Sequence, residues 1–191
     1  MARHGIYQKL ERFLIKSFCY ICEGLVLVHR HFLKPQNVTG NAQRNDFLEQ
    51  YSMIKSQLIL DIFYLIFDDF EYEEKLRNQI QFLKEGETEH TGIGLFVNFE
   101  AEKGIENYRI PTEKAENRDI NGKAFERMNG VELRNSALNI LADADVIITD
   151  GIIDYIEIFN KGGENYPITE PTKYELEQVW VDSKNKKLVR N

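Results

Sequence analysis

Four side chains near the N-terminus have the types and order of a metal site: Cys19-x-x-Cys22 followed by His29-x-His31, two thiols and two imidazoles within thirteen residues. Zinc accepts that donor set in a tetrahedral array. The spacing imposes a condition, because in an unbroken helix Cys19 and His31 lie ~18 Å apart at a rise of ~1.5 Å per residue. A metal therefore requires the chain to reverse at Gly24. Without that reversal the two cysteines are small apolar residues on a helix stripe, with the histidines near its end. A redox role for the Cys-x-x-Cys pair is disfavoured, since an activated thiol sits at a helix N-terminus and this pair falls in mid-segment.

A second group is acidic: Asp143, Asp145, Asp150, Asp154 and Glu157. Paired carboxylates can divide acid and base roles or bind a divalent cation. Their order does not follow an Asp-x-Asp-x-Asp-Gly loop, and Asp150 has a structural reason to occupy a turn. Simple strand alternation places Asp154 and Glu157 on opposite faces. They read as turn formers and surface acids, and Asp154, Glu157 and Glu164 become the candidate contacts for a partner of opposite charge. Other templates fail: Gly92-Ile93-Gly94 lacks the third glycine of a dinucleotide loop, and neither a phosphate loop nor a Gly-x-Ser-x-Gly elbow is present. His90 has no nucleophile spaced to serve it. Tyr155, Phe159, Tyr166, Tyr174 and Trp180 read as core in acidic surroundings, rather than as a platform for bases. No cofactor is implied.

These residues need a scaffold, and the composition supplies one. The chain of 191 residues is 42% hydrophobic and 12% aromatic, enough to build a core and to exclude wholesale disorder. Its two cysteines cannot build a disulfide framework, which fits a reducing compartment. Arg3, Lys9, Glu11, Arg12 and Lys16 interrupt any secretory signal, and the apolar stretches Phe18–Val28 and Leu58–Phe67 are too short to span a bilayer. The expected location is cytoplasmic, without membrane contact. Net charge is −7, from 24 basic and 31 acidic side chains, so a basic footprint for nucleic acid is lacking. Residues 1–44 carry seven Lys/Arg against two Asp/Glu, and the acidic remainder favours a basic protein partner.

Hydrophobic spacing divides the chain. Ile6, Leu10, Phe13, Leu14, Phe18, Ile21, Leu25, Val28 and Phe32 recur in steps of three and four, which predicts a helix; Lys34 to Asn41 is a loop. A second helix starts near Asn45 or Asp46, with Glu49 in the capping-box position. Its stripe of Phe47, Tyr51, Ile54, Leu58, Ile62 and Leu65 widens through Ile59, Phe63, Ile66 and Phe67 to a helix covered on two sides. A short third helix through Leu76 and Ile80 ends by Gly86. Period-two segments follow at Ile93–Phe99, Ile105–Ile110, Tyr174–Val181 and Leu188–Val189, with a strand and an irregular connection over 123–141. Asp145–Thr149 and Ile152–Phe159 flank Asp150-Gly151, the preferred chemistry of a two-residue hairpin turn. The expected fold is α+β: an N-terminal helical hairpin or small helical lobe over residues 1–88, then a five- to six-stranded, mainly antiparallel sheet over 89–191. The two regions can form one compact domain.

The segment Asp150-Gly151-Ile152-Ile153-Asp154-Tyr155-Ile156-Glu157-Ile158, with Gly162-Gly163-Glu164-Asn165-Tyr166-Pro167 and Tyr174-Glu175-Leu176, resembles the C-terminal strands of bacterial immunity-type proteins found beside polymorphic toxins. The resemblance covers the last third of the chain and implies a non-enzymatic inhibitor of a toxin domain, with no binding residue carried over. The acidity, noted independently, fits a basic toxin. Two other readings stand beside it: a small metal-dependent enzyme built on Cys19, Cys22, His29 and His31 or on the hairpin carboxylates, and a homo-oligomer joined through Leu58–Phe67.

Overall fold

The computed structural model describes residues 53–191, apart from 114, 116, 120, 163 and 164. In chain order its elements are α1 (Gln57–Ile66), α2 (Glu73–Gln79), β1 (Leu83–His90), β2 (Gly94–Ala101), β3 (Asn117–Arg118), β4 (Ala124–Asn135), β5 (Ile140–Thr149), β6 (Ile152–Asn160), β7 (Tyr174–Gln178) and β8 (Lys187–Arg190). Short 3-10 turns lie at Ile80–Phe82, Ile105–Tyr108 and Ser136–Leu138. The strands form one antiparallel sheet in the order β1-β2-β6-β5-β4-β7-β8, with β3 beside the first residues of β4. Among the described residues no helix is long and apolar enough to cross a membrane.

The hairpin turn expected at Asp150-Gly151 joins β5 to β6, and both residues have positive φ, 48° and 78°. Such values match the right-handed twist of the flanking strands. Gln79, fully buried on α2, fastens this turn to the helix side. Its Nε2 donates to the carbonyls of Tyr108 and Gly151, each at 2.9 Å, and its Oε1 accepts from the Ile153 amide at 2.9 Å.

One residue beyond the turn, the strand departs from simple alternation. Ile148 pairs with Ile153 but Ile147 pairs with Tyr155, so Asp154 is an extra residue in β6. A bulge of this kind reverses the phase of the side chains. Ile153 consequently joins Ile156 and Ile158 in the core, while Tyr155, Glu157 and Phe159 share the other face with Ile147 and Asp145. The sequence reading grouped Ile153 with Tyr155, Glu157 and Phe159, and the bulge corrects it.

The core lies between the sheet and the helices. Leu58, Ile62, Phe63 and Leu65 of α1 meet Val131 and Leu133 of β4, Ala142 and Ala144 of β5 and Leu176 of β7 in one buried cluster. Helix α1 is buried over eight of its ten residues, as its wide apolar stripe implies. Phe63 stacks on Phe67 with centroids 5.1 Å apart and tilts against Phe99 of β2 at 5.6 Å. Two polar clasps cross the same layer. Asp61, at 1% exposure, accepts from Arg190 through Nε and Nη2, both at 2.7 Å, and from the Tyr174 hydroxyl at 2.9 Å. Gln178 donates to the Leu65 carbonyl at 2.9 Å and accepts from the Lys186 amide at 3.1 Å.

The α+β class stands, with corrections to the number and position of its elements. The sheet has eight strands rather than five or six, and the described helices are two rather than a hairpin or lobe filling the region before the sheet. Helix α1 starts at Gln57, where the Ser56 side chain accepts from the Ile59 amide at 3.0 Å. The expected cap at Asp46 and the helix over residues 6–32 lie outside the described residues. Sheet pairing begins at Leu83, inside the stretch read as helical, because Leu83-Lys84-Glu85-Gly86-Glu87-Thr88-Glu89-His90 is a polar edge strand with little to bury. Ile105–Tyr108 is a 3-10 turn, not a strand.

Candidate functional site

The face of the sheet opposite α1 carries a belt of charges set in register. Glu177 of β7, Glu132 of β4, Asp143 of β5 and Phe159 of β6 pair across four strands, and Asp145 pairs with Glu157. Like charges placed opposite one another are destabilising unless cations are set between them. Arg127 supplies one, reaching Asp145 at 2.6 Å and Glu157 at 2.5 Å. Lys161 bridges Glu132 and Asp143 at 2.7 Å each, and Arg134 binds Glu132 at 2.5 Å. Lys187 holds Glu177 at 2.9 Å. Apolar groups border this belt: Phe159 is 45% and Leu141 40% exposed, and Phe96 meets Tyr155 edge-on at 6.0 Å. The Tyr155 hydroxyl is pushed up by burial and by the charges of Glu157 and Asp154, against an opposing effect of Arg127.

Glu132 shows how these pairs act on stability. Burial would raise its carboxyl, but hydrogen bonds and charges from Lys161 and Arg134 outweigh burial and hold it below the ordinary value of 4.5. A lowered folded-state value means that its contribution is complete above the unfolded value and disappears as pH falls through the folded one. Urea midpoints of the wild-type protein should therefore fall from about pH 5 to about pH 3. In Glu132→Gln that part of the slope should vanish, and identical slopes in the two proteins would refute the assignment.

Asp154 and Glu157, two of the candidate partner contacts, occupy different settings. Glu157 belongs to the belt. Asp154 accepts from the Thr149 hydroxyl at 2.6 Å and lines a shallow cavity of about 210 Å³ beside Arg109 and Lys123. Glu164 lies outside the described residues, as do Cys19, Cys22, His29 and His31. The hairpin carboxylates do not converge: Asp150 receives the Ala124 amide at 3.2 Å, Asp143 pairs with Lys161, and Asp145 and Glu157 share Arg127. Among the described residues no group of three or more His, Cys, Asp or Glu side chains is placed to hold a metal.

A second cavity, of about 240 Å³, lies at the start of α1 beside β1 and β2. Leu58, Val97 and Ile158 are among its apolar lining, and Glu85, His90 and Glu170 among its polar lining. Glu85 is committed to the fold, since its Oε1 accepts from the amides of Lys55 and Ser56, each at 2.7 Å. Tyr166 also lines this cavity at 4% exposure, and its hydroxyl has no hydrogen-bond partner. Sequence reasoning placed His90 at a strand start without a role and Tyr166 in the core. Nothing in the local pattern joins β1 to a segment some 75 residues later, so only the fold reveals the cavity. Comparison with protein-family models, curated proteins and solved structures returns no match for this chain.

Proposed function

We propose that this chain is a non-enzymatic binding protein that captures a basic protein, and that its specific form is an immunity-type inhibitor of a basic toxin. The observation that carries this reading is the charge belt of Glu177, Glu132, Asp143, Asp145 and Glu157, fixed in register beside exposed Phe159 and Leu141. Carboxylates already held by Arg127, Arg134 and Lys161 lose little side-chain freedom on docking, which lowers the entropic cost of association. An apolar spot next to ordered charge is the anatomy of an interface centre and its rim. Residues 53–191 carry 27 Asp/Glu against 17 Lys/Arg, so the surrounding field draws a cationic partner toward this face.

Native mass spectrometry of the protein purified from its host lysate tests the reading, with a one-to-one complex with a basic protein as the expected species. For that pair, Glu157→Lys should slow association about tenfold at low salt and flatten its dependence on ionic strength. On-rates unchanged across salt would remove the proposal. A metal-loaded species without a partner would replace it with the enzyme reading, and self-association alone with the homo-oligomer.

A further inference from the structure

We propose that the cavity at the start of α1 is the subsite for one arginine side chain of the basic partner, an assignment that rests on the function proposed above and names where that partner is gripped. The size argues first. Sites for drug-sized small molecules run from roughly 300 Å³ upward. About 240 Å³ suits a single long side chain instead.

The lining argues for its chemistry. Leu58, Val97 and Ile158 offer an apolar wall to an alkyl stem, while the charged end of such a side chain seeks polar surroundings. Glu170, an exposed carboxylate in the lining, has no ion pair among the described residues. The Tyr166 hydroxyl, buried and without a partner, is a second unmet polar group in the same cavity. A buried hydroxyl left unpaired is costly, and native structures usually satisfy it. Burial and the Glu170 charge push the Tyr166 phenol up, so at neutral pH it stays protonated and can accept a hydrogen bond. A guanidinium offers five N–H donors in a planar fork, enough to serve Glu170 and Tyr166 together, whereas an ammonium is a compact point charge. The edge strand beside the cavity adds Glu87 and Glu89, both exposed and without ion pairs among the described residues, which favours further cations flanking the inserted side chain.

The test uses the full chain and three small probes: N-acetyl-arginine amide, N-acetyl-lysine amide and the uncharged N-acetyl-norleucine amide, titrated by NMR. Saturable shifts confined to Leu58, His90, Val97 and Tyr166 are expected with the arginine probe. Binding should be about tenfold weaker in Glu170→Gln and several-fold weaker in Tyr166→Phe. Tyr166→Phe removes only an unpaired hydroxyl, so its melting temperature should not fall, and it remains a valid variant should Glu170→Gln disturb its loop. Equal binding of the norleucine probe, tighter binding of the lysine probe, or no saturable shift with arginine would each overturn the assignment. Failure here is distinguishable from failure of the function itself. If the arginine probe does not bind while Glu157→Lys still slows capture of a basic protein, the subsite falls and the function stands. If the probe saturates the cavity of a protein that retains no basic partner, the assignment of the side chain to a partner is overturned.

Discussion

Replacing Arg190 by alanine is expected to lower the unfolding free energy by about 3 kcal/mol, the low end of the range for breaking a buried ion pair. The loss comes from what remains. Asp61 is 1% exposed, and without the guanidinium it keeps only the Tyr174 hydroxyl and Gln57 Nε2, each at 2.9 Å, to compensate its charge. Arg190 is itself 35% exposed, so water partly solvates the cation in the intact protein, which is why the low end applies. The double variant Asp61→Asn with Arg190→Ala should recover about half of the loss, because a neutral amide no longer leaves an unpaired charge inside. Urea denaturation of the three proteins measures both effects. A single-variant loss below about 1 kcal/mol would mean that the pair behaves as a surface salt bridge.

Gly151→Ala should cost a similar amount, about 3 kcal/mol, for a different reason. Its φ of 78° is unfavourable for an L-residue, and an added Cβ would lie 2.2 Å from the Ile110 carbonyl oxygen and 2.8 Å from Arg109 Cγ. The backbone cannot move away freely. The Ile110 amide donates to the Gly151 carbonyl at 3.0 Å, and Gln79 binds the same carbonyl. Gly122 supplies the control, because its φ of 80° is nearly the same but an added Cβ meets nothing within 4 Å. Gly122→Ala should therefore show the conformational term alone, about 1 kcal/mol. Thermal melts that shifted equally for the two variants would show that the close approach at Gly151 contributes nothing.

The contrast between these glycines also shows what a sequence can and cannot disclose. Asp150-Gly151 between two β-branched runs reveals its turn because the requirement is local, a positive φ at both positions. The partners of Gly151, at Gln79 and Ile110, are distant in sequence, and no spacing rule reaches them. The wide apolar stripe of α1 was legible for the same local reason, since a helix that is apolar nearly all round must be covered. Strand β1 was not, because an edge strand rich in Glu shows no alternation of buried and exposed residues. The Asp154 bulge had the largest effect on the candidate site. By moving Ile153 into the core it left Tyr155, Glu157 and Phe159 with Asp145 on the opposite face, so a face read as apolar became one laced with charge. Tyr166 and Glu170 were recognisable as an aromatic and an acid, but not as neighbours of Glu85 and His90 in one cavity.

The clasp of Asp61 by Arg190 joins residues 129 positions apart, and β8 is the last strand added to its edge of the sheet. Pairings of such long sequence separation form late and slow the search for the native state. During synthesis α1 leaves the ribosome well before β8 exists, so Asp61 and the apolar face around it must wait for a partner that has not yet been translated. Over that interval the nascent chain displays the surface on which chaperones and misassembly compete. A ribosome stalled before Lys187 is therefore expected to carry a protease-sensitive chain, and one extended past Asn191 by a linker long enough to clear the exit tunnel a resistant one.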